Sequence, residues 1–168
     1  MNILYLHGLE SKLSQPKREI LETYSQIFAP DLDYQNNPTS IERILLEYSG
    51  ANINAVIGSS MGGFAGYYVS SALKCPALLF NPALKHRSVE QHIPPLKENV
   101  QRYKRIVLGL QDDVVDPSQT LNFIAGNLYK EAGMSIILRP EMEHRVELNI
   151  FKEELELFFK RVANQHSV

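Results

Sequence analysis

The stretch Asn54-Ala55-Val56-Ile57-Gly58-Ser59-Ser60-Met61-Gly62-Gly63 constrains the chain more than any other. Val56 and Ile57 are β-branched and apolar, as a parallel strand buried on both faces requires, and small residues crowd in directly after them. Gly58-x-Ser60-x-Gly62 therefore reads as the end of a strand, a sharp turn on Ser60 and the start of a helix, the context of a G-x-S-x-G elbow. A serine pushed out at the top of such a turn sits in a strained backbone conformation, and side chains two residues to either side would collide. Glycine at 58 and 62 removes those Cβ atoms, while Gly63, Ala65 and Gly66 let the following helix lie close to the sheet. The Ser60 hydroxyl is then expected at the carboxyl ends of the strands, where open α/β sheets bind ligands.

An elbow needs parallel neighbours, and the chain supplies apolar runs separated by helical patterns. Asn2-Ile3-Leu4-Tyr5-Leu6 is the first strand and delivers His7-Gly8-Leu9 as a tight loop. Ser11 to Ser25 has helical spacing through Pro16, Ile20, Leu21 and Tyr24, with Lys17, Arg18, Glu19 and Glu22 on the wet side. Gln26 to Pro30 is a short strand. Thr39 or Ser40 caps a helix burying Ile41, Ile44, Leu45 and Tyr48. After the elbow helix, which ends near Lys74, come strands at Ala77 to Phe80, Arg105 to Leu110 and Ser135 to Leu138. A helix from Pro117 turns Leu121, Phe123, Ile124 and Leu128 inward, and Gly133 ends the turn after it. A last helix carries Leu148, Phe151, Leu155, Phe158 and Val162 on one stripe, with Lys152, Glu153, Glu154 and Lys160 opposite, and Asn164 to Val168 reads as a frayed tail. The predicted fold is α/β, with about six mainly parallel strands, helices on both faces and the elbow strand central. One domain over 1–168 suits the length.

Acyl-transfer chemistry at a serine needs a base, an acid to orient it and two backbone N–H groups for the oxyanion. The residue after the nucleophile, Met61, supplies one amide in elbow proteins; the loop after the first strand supplies the other, and Leu9 is its natural donor, with Gly8 letting the backbone turn inward. His7 stands at a strand end, suited to bracing that loop rather than to acting as general base. The acid belongs on a loop after a later strand, and Gln111-Asp112-Asp113-Val114-Val115-Asp116-Pro117 offers three carboxylates. Asp112 is nearest the strand end and is assigned to the site, with Asp113 in reserve. Asp116 before a proline has the signature of a helix N-cap. Asp31 comes too early for the order serine, acid, histidine and reads as a turn or capping residue. His144, after the last strand and before the last helix, is the expected base. His86 and His92 have no same-face helical spacing and no cysteine or carboxylate cluster beside them, so they read as solvated loop histidines and no metal site is expected. Tyr67 and Tyr68 suit packing better than a ligand platform.

The formal net charge of −2 leaves no electrostatic footprint for nucleic acid, and no basic run suggests an anionic membrane surface. The lone cysteine, Cys75, cannot form an internal disulfide and reads as a buried structural residue. The apolar start, Met1 to Leu6, is too short for a signal peptide and lacks a basic leader, so a cytoplasmic location is expected.

Taken together, the elbow, the His7-Gly8 loop, the Gly109-to-Pro117 loop and His144 resemble the α/β-hydrolase superfamily. Leu6-His7-Gly8-Leu9, Gly58-Ser59-Ser60-Met61-Gly62-Gly63, Asn81-Pro82-Ala83 and the short length look more narrowly like the small bacterial YqiA-like (UPF0227) esterases. That resemblance implies a minimal hydrolase fold without a cap domain, a Ser60/Asp112/His144 triad and no cofactor. Without a cap the site is expected to be shallow and open, suited to a small-molecule substrate that is a short-chain carboxylic ester, or a thioester whose large leaving group stays in solvent. A catalytically silent protein that keeps the fold and binds a partner is the other reading, and perhydrolase or lyase chemistry is a third.

Overall fold

The computed structural model describes residues 1–95, 102–127 and 133–165. Among these residues six strands and five helices follow one another in the order β1 (Asn2–Leu6), α1 (Gln15–Glu22), β2 (Gln26–Phe28), α2 (Ser40–Tyr48), β3 (Ala55–Ser59), α3 (Met61–Ala72), β4 (Ala77–Phe80), β5 (Lys104–Gly109), α4 (Pro117–Ala125), β6 (Met134–Arg139) and α5 (Leu148–Gln165). The strands form one sheet in the order β2-β1-β3-β4-β5-β6, and every neighbouring pair is parallel. Val56 and Ile57 are fully buried, so the elbow strand is interior, with β1 on one side and β4 on the other.

Alternation along each strand divides the core into two layers. Leu4, Leu6, Val56, Leu79, Ile106 and Leu108 face α2, α3 and α4 through Ile41, Ile44, Phe64, Val69 and Ile124. Ile3, Tyr5, Ile57, Leu78, Phe80 and Val107 face α1 and α5 through Leu21, Phe151, Leu155 and Phe158. This is the three-layered α/β architecture expected from the apolar runs, and no cap domain lies among the described residues.

Several local expectations need correction. Glu154 is not on the wet face of α5: it is fully buried, and its carboxylate accepts from Arg105 Nε at 2.6 Å on β5 and from Arg139 Nε at 2.9 Å at the end of β6. Arg139 also reaches Glu153 at 2.8 Å. A carboxylate without water needs such partners, and the pairing ties α5 to two strands. Leu148, conversely, is 44% exposed. α1 begins at Gln15 because Pro16 suits the first helical turn, so Ser11 to Ser14 remain loop. Thr39 holds the N-cap position of α2, but its hydroxyl donates to Asn37 Oδ1 and makes no cap bond. α5 runs through Gln165, so Asn164 and Gln165 are helical rather than frayed. Leu128, His166 and the end of the 84–101 segment lie outside the described residues. Cys75 is buried as expected, and burial pushes its thiol up to about 12. No helix among the described residues is long and apolar enough to cross a membrane.

Candidate active site

Ser60 joins β3 to α3 with φ 55° and ψ −117°. Those are the angles of the first central residue of a type II′ turn, a conformation glycine adopts freely and a side chain rarely does. Hydrogen bonds hold it there on both sides. Ser60 N donates to Phe80 O at 2.9 Å, and its carbonyl accepts from Phe64 N at 2.9 Å and from Ala83 N at 3.2 Å. The surrounding backbone is packed too tightly for side chains. A Cβ on Gly58 would run into the Gly62 carbonyl, and one on Gly62 would fall within the carbonyl oxygens of Leu6 and His7 at the end of β1. The spacing of the motif thus serves the crossing of two backbones as well as the turn itself. Gly62→Ala is expected to cost at least about 3 kcal/mol, because backbone rather than a flexible side chain must move. A urea midpoint within error of the wild type would refute that expectation.

Gly8 lies against the serine: a Cβ there would stand 3.4 Å from Ser60 Cβ and 3.9 Å from Ser60 Oγ. Leu9 and Met61 flank the same spot and line the same cleft, and neither backbone amide has a partner among the described residues. His7 is buried and fixes the loop from behind. Its Nδ1–H donates to Gly8 O at 2.7 Å, while Nε2 accepts from Leu32 N at 2.9 Å. Asp31 Oδ1 is 3.8 Å from Nε2, but that nitrogen already accepts a hydrogen bond, so the imidazole is a neutral brace. Asp31 is exposed and pairs with Lys12 at 2.6 Å.

The loop after β5 turns Asp112 inward. Oδ1 accepts from Val114 N and Val115 N, both at 2.8 Å, so the carboxylate closes its own loop. The loop after β6 brings His144 to it: Nδ1 lies 3.0 Å from Oδ1 and 2.9 Å from Oδ2. A carboxylate can only accept, so Nδ1 carries the hydrogen and Nε2 keeps its lone pair. Asp113 is exposed, and Asp116 caps α4 by accepting from Ser118 N at 2.8 Å. Hydrogen bonding to Ser118 holds the Asp116 carboxyl below its ordinary range.

Asn81 joins these loops and was legible only as part of a family-like motif. It sits at the end of β4 with φ 42°, fully buried. Oδ1 accepts from Gly109 N at 2.8 Å, and Nδ2 donates to Glu143 O at 2.9 Å. One side chain therefore spans from the end of β5, just before the acid loop, to the residue before the histidine. Gly109 completes the junction, since any Cβ there would strike the Met142 carbonyl.

Ser60 and His144 open into one cleft of about 1070 Å³, whose walls also include Tyr5, Gly8, Leu9 and Met61. Burial pushes the Tyr5 phenol up to about 12, so it contributes a neutral wall. His86 lies at the edge of this cleft, while His92 is exposed on the 84–95 loop. Tyr67 is buried against Phe123, away from the cleft. No group of three metal-ligating side chains occurs among the described residues.

The same fold is found in proteins of little sequence likeness. A variant of SOBER1 from Arabidopsis thaliana superposes with a TM-score of 0.75 at 12% identity, covering 96% of this chain and 99% of the other. A carboxylesterase from Bacillus cereus gives 0.65 at 14% identity, with 94% and 87% covered. The esterase Pf2001 from Pyrococcus furiosus gives 0.68 at 15% identity, with 95% and 82% covered. Residues 2–108, which span the first five strands and the elbow, match the model of the Uncharacterised protein family (UPF0227). This α/β-hydrolase-fold chain is a member of that family.

Proposed function

We propose that the protein is a serine hydrolase that cleaves a carboxylic ester or thioester through an acyl-enzyme on Ser60. The observation that carries this reading is the Nδ1-bound pair of Asp112 and His144, which leaves the Nε2 lone pair unspent on a residue that lines the same cleft as Ser60. Support also comes from fold neighbours described as a carboxylesterase, an esterase and a monoacylglycerol lipase.

In the first half-reaction Ser60 Oγ bonds to the acyl carbon as His144 Nε2 takes its proton. The oxyanion that forms is held by the Leu9 and Met61 amides, whose freedom from other partners suits them to it. His144 returns the proton to the leaving oxygen or sulfur as its bond to carbon breaks. Water then gives a proton to His144 and its oxygen to the acyl carbon, and Ser60 leaves with its hydroxyl restored. Asp112 stays ionised throughout and stabilises the imidazolium.

The test pairs hydrolysis of a short-chain p-nitrophenyl ester with labelling by a fluorophosphonate, which requires an activated serine. Turnover, and one label per chain at Ser60, are the expected results. A folded protein that neither turns over nor labels would refute the reading and leave a silent interaction protein in its place. Product analysis separates hydrolysis from perhydrolase or lyase chemistry, which would also label.

A further inference from the structure

The walls of the cleft carry mainly positive charge. Lys12, Lys17, Arg87 and Arg145 line it against a single carboxylate, Glu10, although the chain as a whole has a formal net charge of −2. Glu10 is engaged elsewhere, accepting from Gln35 Nε2 at 2.6 Å, and Lys12 is engaged with Asp31.

Arg87 and Lys17 are not neutralised in that way. The Arg87 guanidinium stacks over the Phe64 ring, with Cζ 4.0 Å from its centroid, and Nη1 donates to Leu84 O at 3.1 Å. Its Nε is buried and has no acceptor, and no carboxylate pairs with it among the described residues. Nε together with the outer Nη forms the fork that grips a carboxylate or phosphate in two parallel hydrogen bonds. The stack and the tether order this guanidinium at the cleft wall before any anion arrives, and an anion reaching the Nε edge would supply the acceptor that Nε lacks. Lys17 is half-buried, its Nζ 5.1 Å from the centroid of Phe151, and its contacts among the described residues include no carboxylate. Burial lowers its pKa below the ordinary lysine value, a cost that an anion beside it would offset.

We propose that the cleft takes acyl esters or thioesters bearing a second, anionic group, a carboxylate or phosphate, which Arg87 and Lys17 hold. The proposal rests on reading the cleft as the acyl-transfer site. The anion can lie on the acyl side or on the leaving group, and matched substrates tell these apart. On the acyl side, mono-p-nitrophenyl succinate is compared with p-nitrophenyl butyrate. On the leaving-group side, the butyrate ester of 4-hydroxybenzoate is compared with that of its methyl ester.

In one of the two arms kcat/KM is expected to favour the anionic member by about tenfold or more at low salt, with the ratio shrinking as ionic strength rises. Arg87→Gln and Lys17→Gln are each expected to lower that ratio about fivefold, and Arg87→Glu to reverse it. Ratios near one in both arms, unmoved by these variants, would overturn the proposal while leaving the hydrolase reading intact. A binding measurement separates the two in the other direction. Succinamate and butyramide are titrated calorimetrically into the Ser60→Ala protein, with and without Arg87→Gln. Succinamate binding that needs Arg87, in a protein whose wild type neither labels nor turns over, would keep the anion site and refute acyl transfer. Equal binding within this pair, and equal binding of 4-hydroxybenzoate and its methyl ester, with no turnover, would remove both.

Discussion

Ser60→Ala is expected to lower kcat for a p-nitrophenyl ester by about 10⁶-fold and to abolish fluorophosphonate labelling, without unfolding the protein. Alanine keeps the Cβ, so the backbone at φ 55° and ψ −117° is as strained after the change as before, and only the nucleophile is lost. Residual turnover over water would come from the oxyanion amides and from binding. Ser60→Gly gives the informative contrast. Glycine adopts those angles without penalty, so this variant is expected to be as inactive as Ser60→Ala but more stable than it by about 1 kcal/mol. For a chain of this length that is a gain in Tm of roughly 2 to 4 °C. Equal stabilities for the two variants would show that the elbow stores no strain. An active Ser60→Ala protein would remove the serine from the mechanism.

Asp112→Asn is expected to cost about 10⁴-fold in kcat at neutral pH, with the fold intact. The size of the effect follows from how the side chain is held. The Val114 and Val115 amides both donate to Oδ1, so an asparagine must leave its carbonyl oxygen with them and turn its NH₂ toward His144. That NH₂ can only donate. His144 must then accept at Nδ1, which moves the hydrogen to Nε2, where the Ser60 proton has to go. The variant is therefore defective because its base is presented in the wrong tautomer, while the loop keeps its shape. Asp113→Asn, on an exposed neighbour, is the control that leaves this wiring untouched. An Asp112→Asn enzyme within tenfold of the wild type would assign the orienting role to another group.

The readable parts of the sequence were those in which the backbone itself demands a residue type. Ser60 is conspicuous because the start of α3 excludes a Cβ at Gly58 and the end of β1 excludes one at Gly62, and such exclusions leave a local signature. Asp112 and His144 follow strands, where the chain has to turn, so their order and position were legible before their contact was. The pattern puts Glu154 on the wet face because nothing within its own helix buries it. It borders the stripe of Phe151, Leu155 and Phe158, and only the arrival of Arg105 and Arg139 from distant strands makes a charged residue tolerable there. The helical pattern of α1 puts Lys17 on the wet side for the same reason, since the cleft wall it joins is assembled from segments far apart in sequence. Asn81 carries a weaker signal. An asparagine tolerates positive φ, and one that follows a buried strand directly invites inspection, but its three-way linkage exists only in the folded chain.

The brace made by His7 has a consequence for how such a protein fails. β2 is an edge strand of three residues with none fully buried, the part of the sheet with least to hold it. The segment leaving it contributes Leu32, whose amide is donated to His7, and the other nitrogen of that ring holds the carbonyl of Gly8 beside the serine. Fraying at the margin of the molecule therefore slackens the loop proposed to receive the oxyanion, while the two core layers around β3 and β4 remain assembled. Under the proposed mechanism, inactivation is expected to precede denaturation on warming as a reversible and local event, so that activity would be lost at a lower temperature than the far-UV circular dichroism of the two core layers.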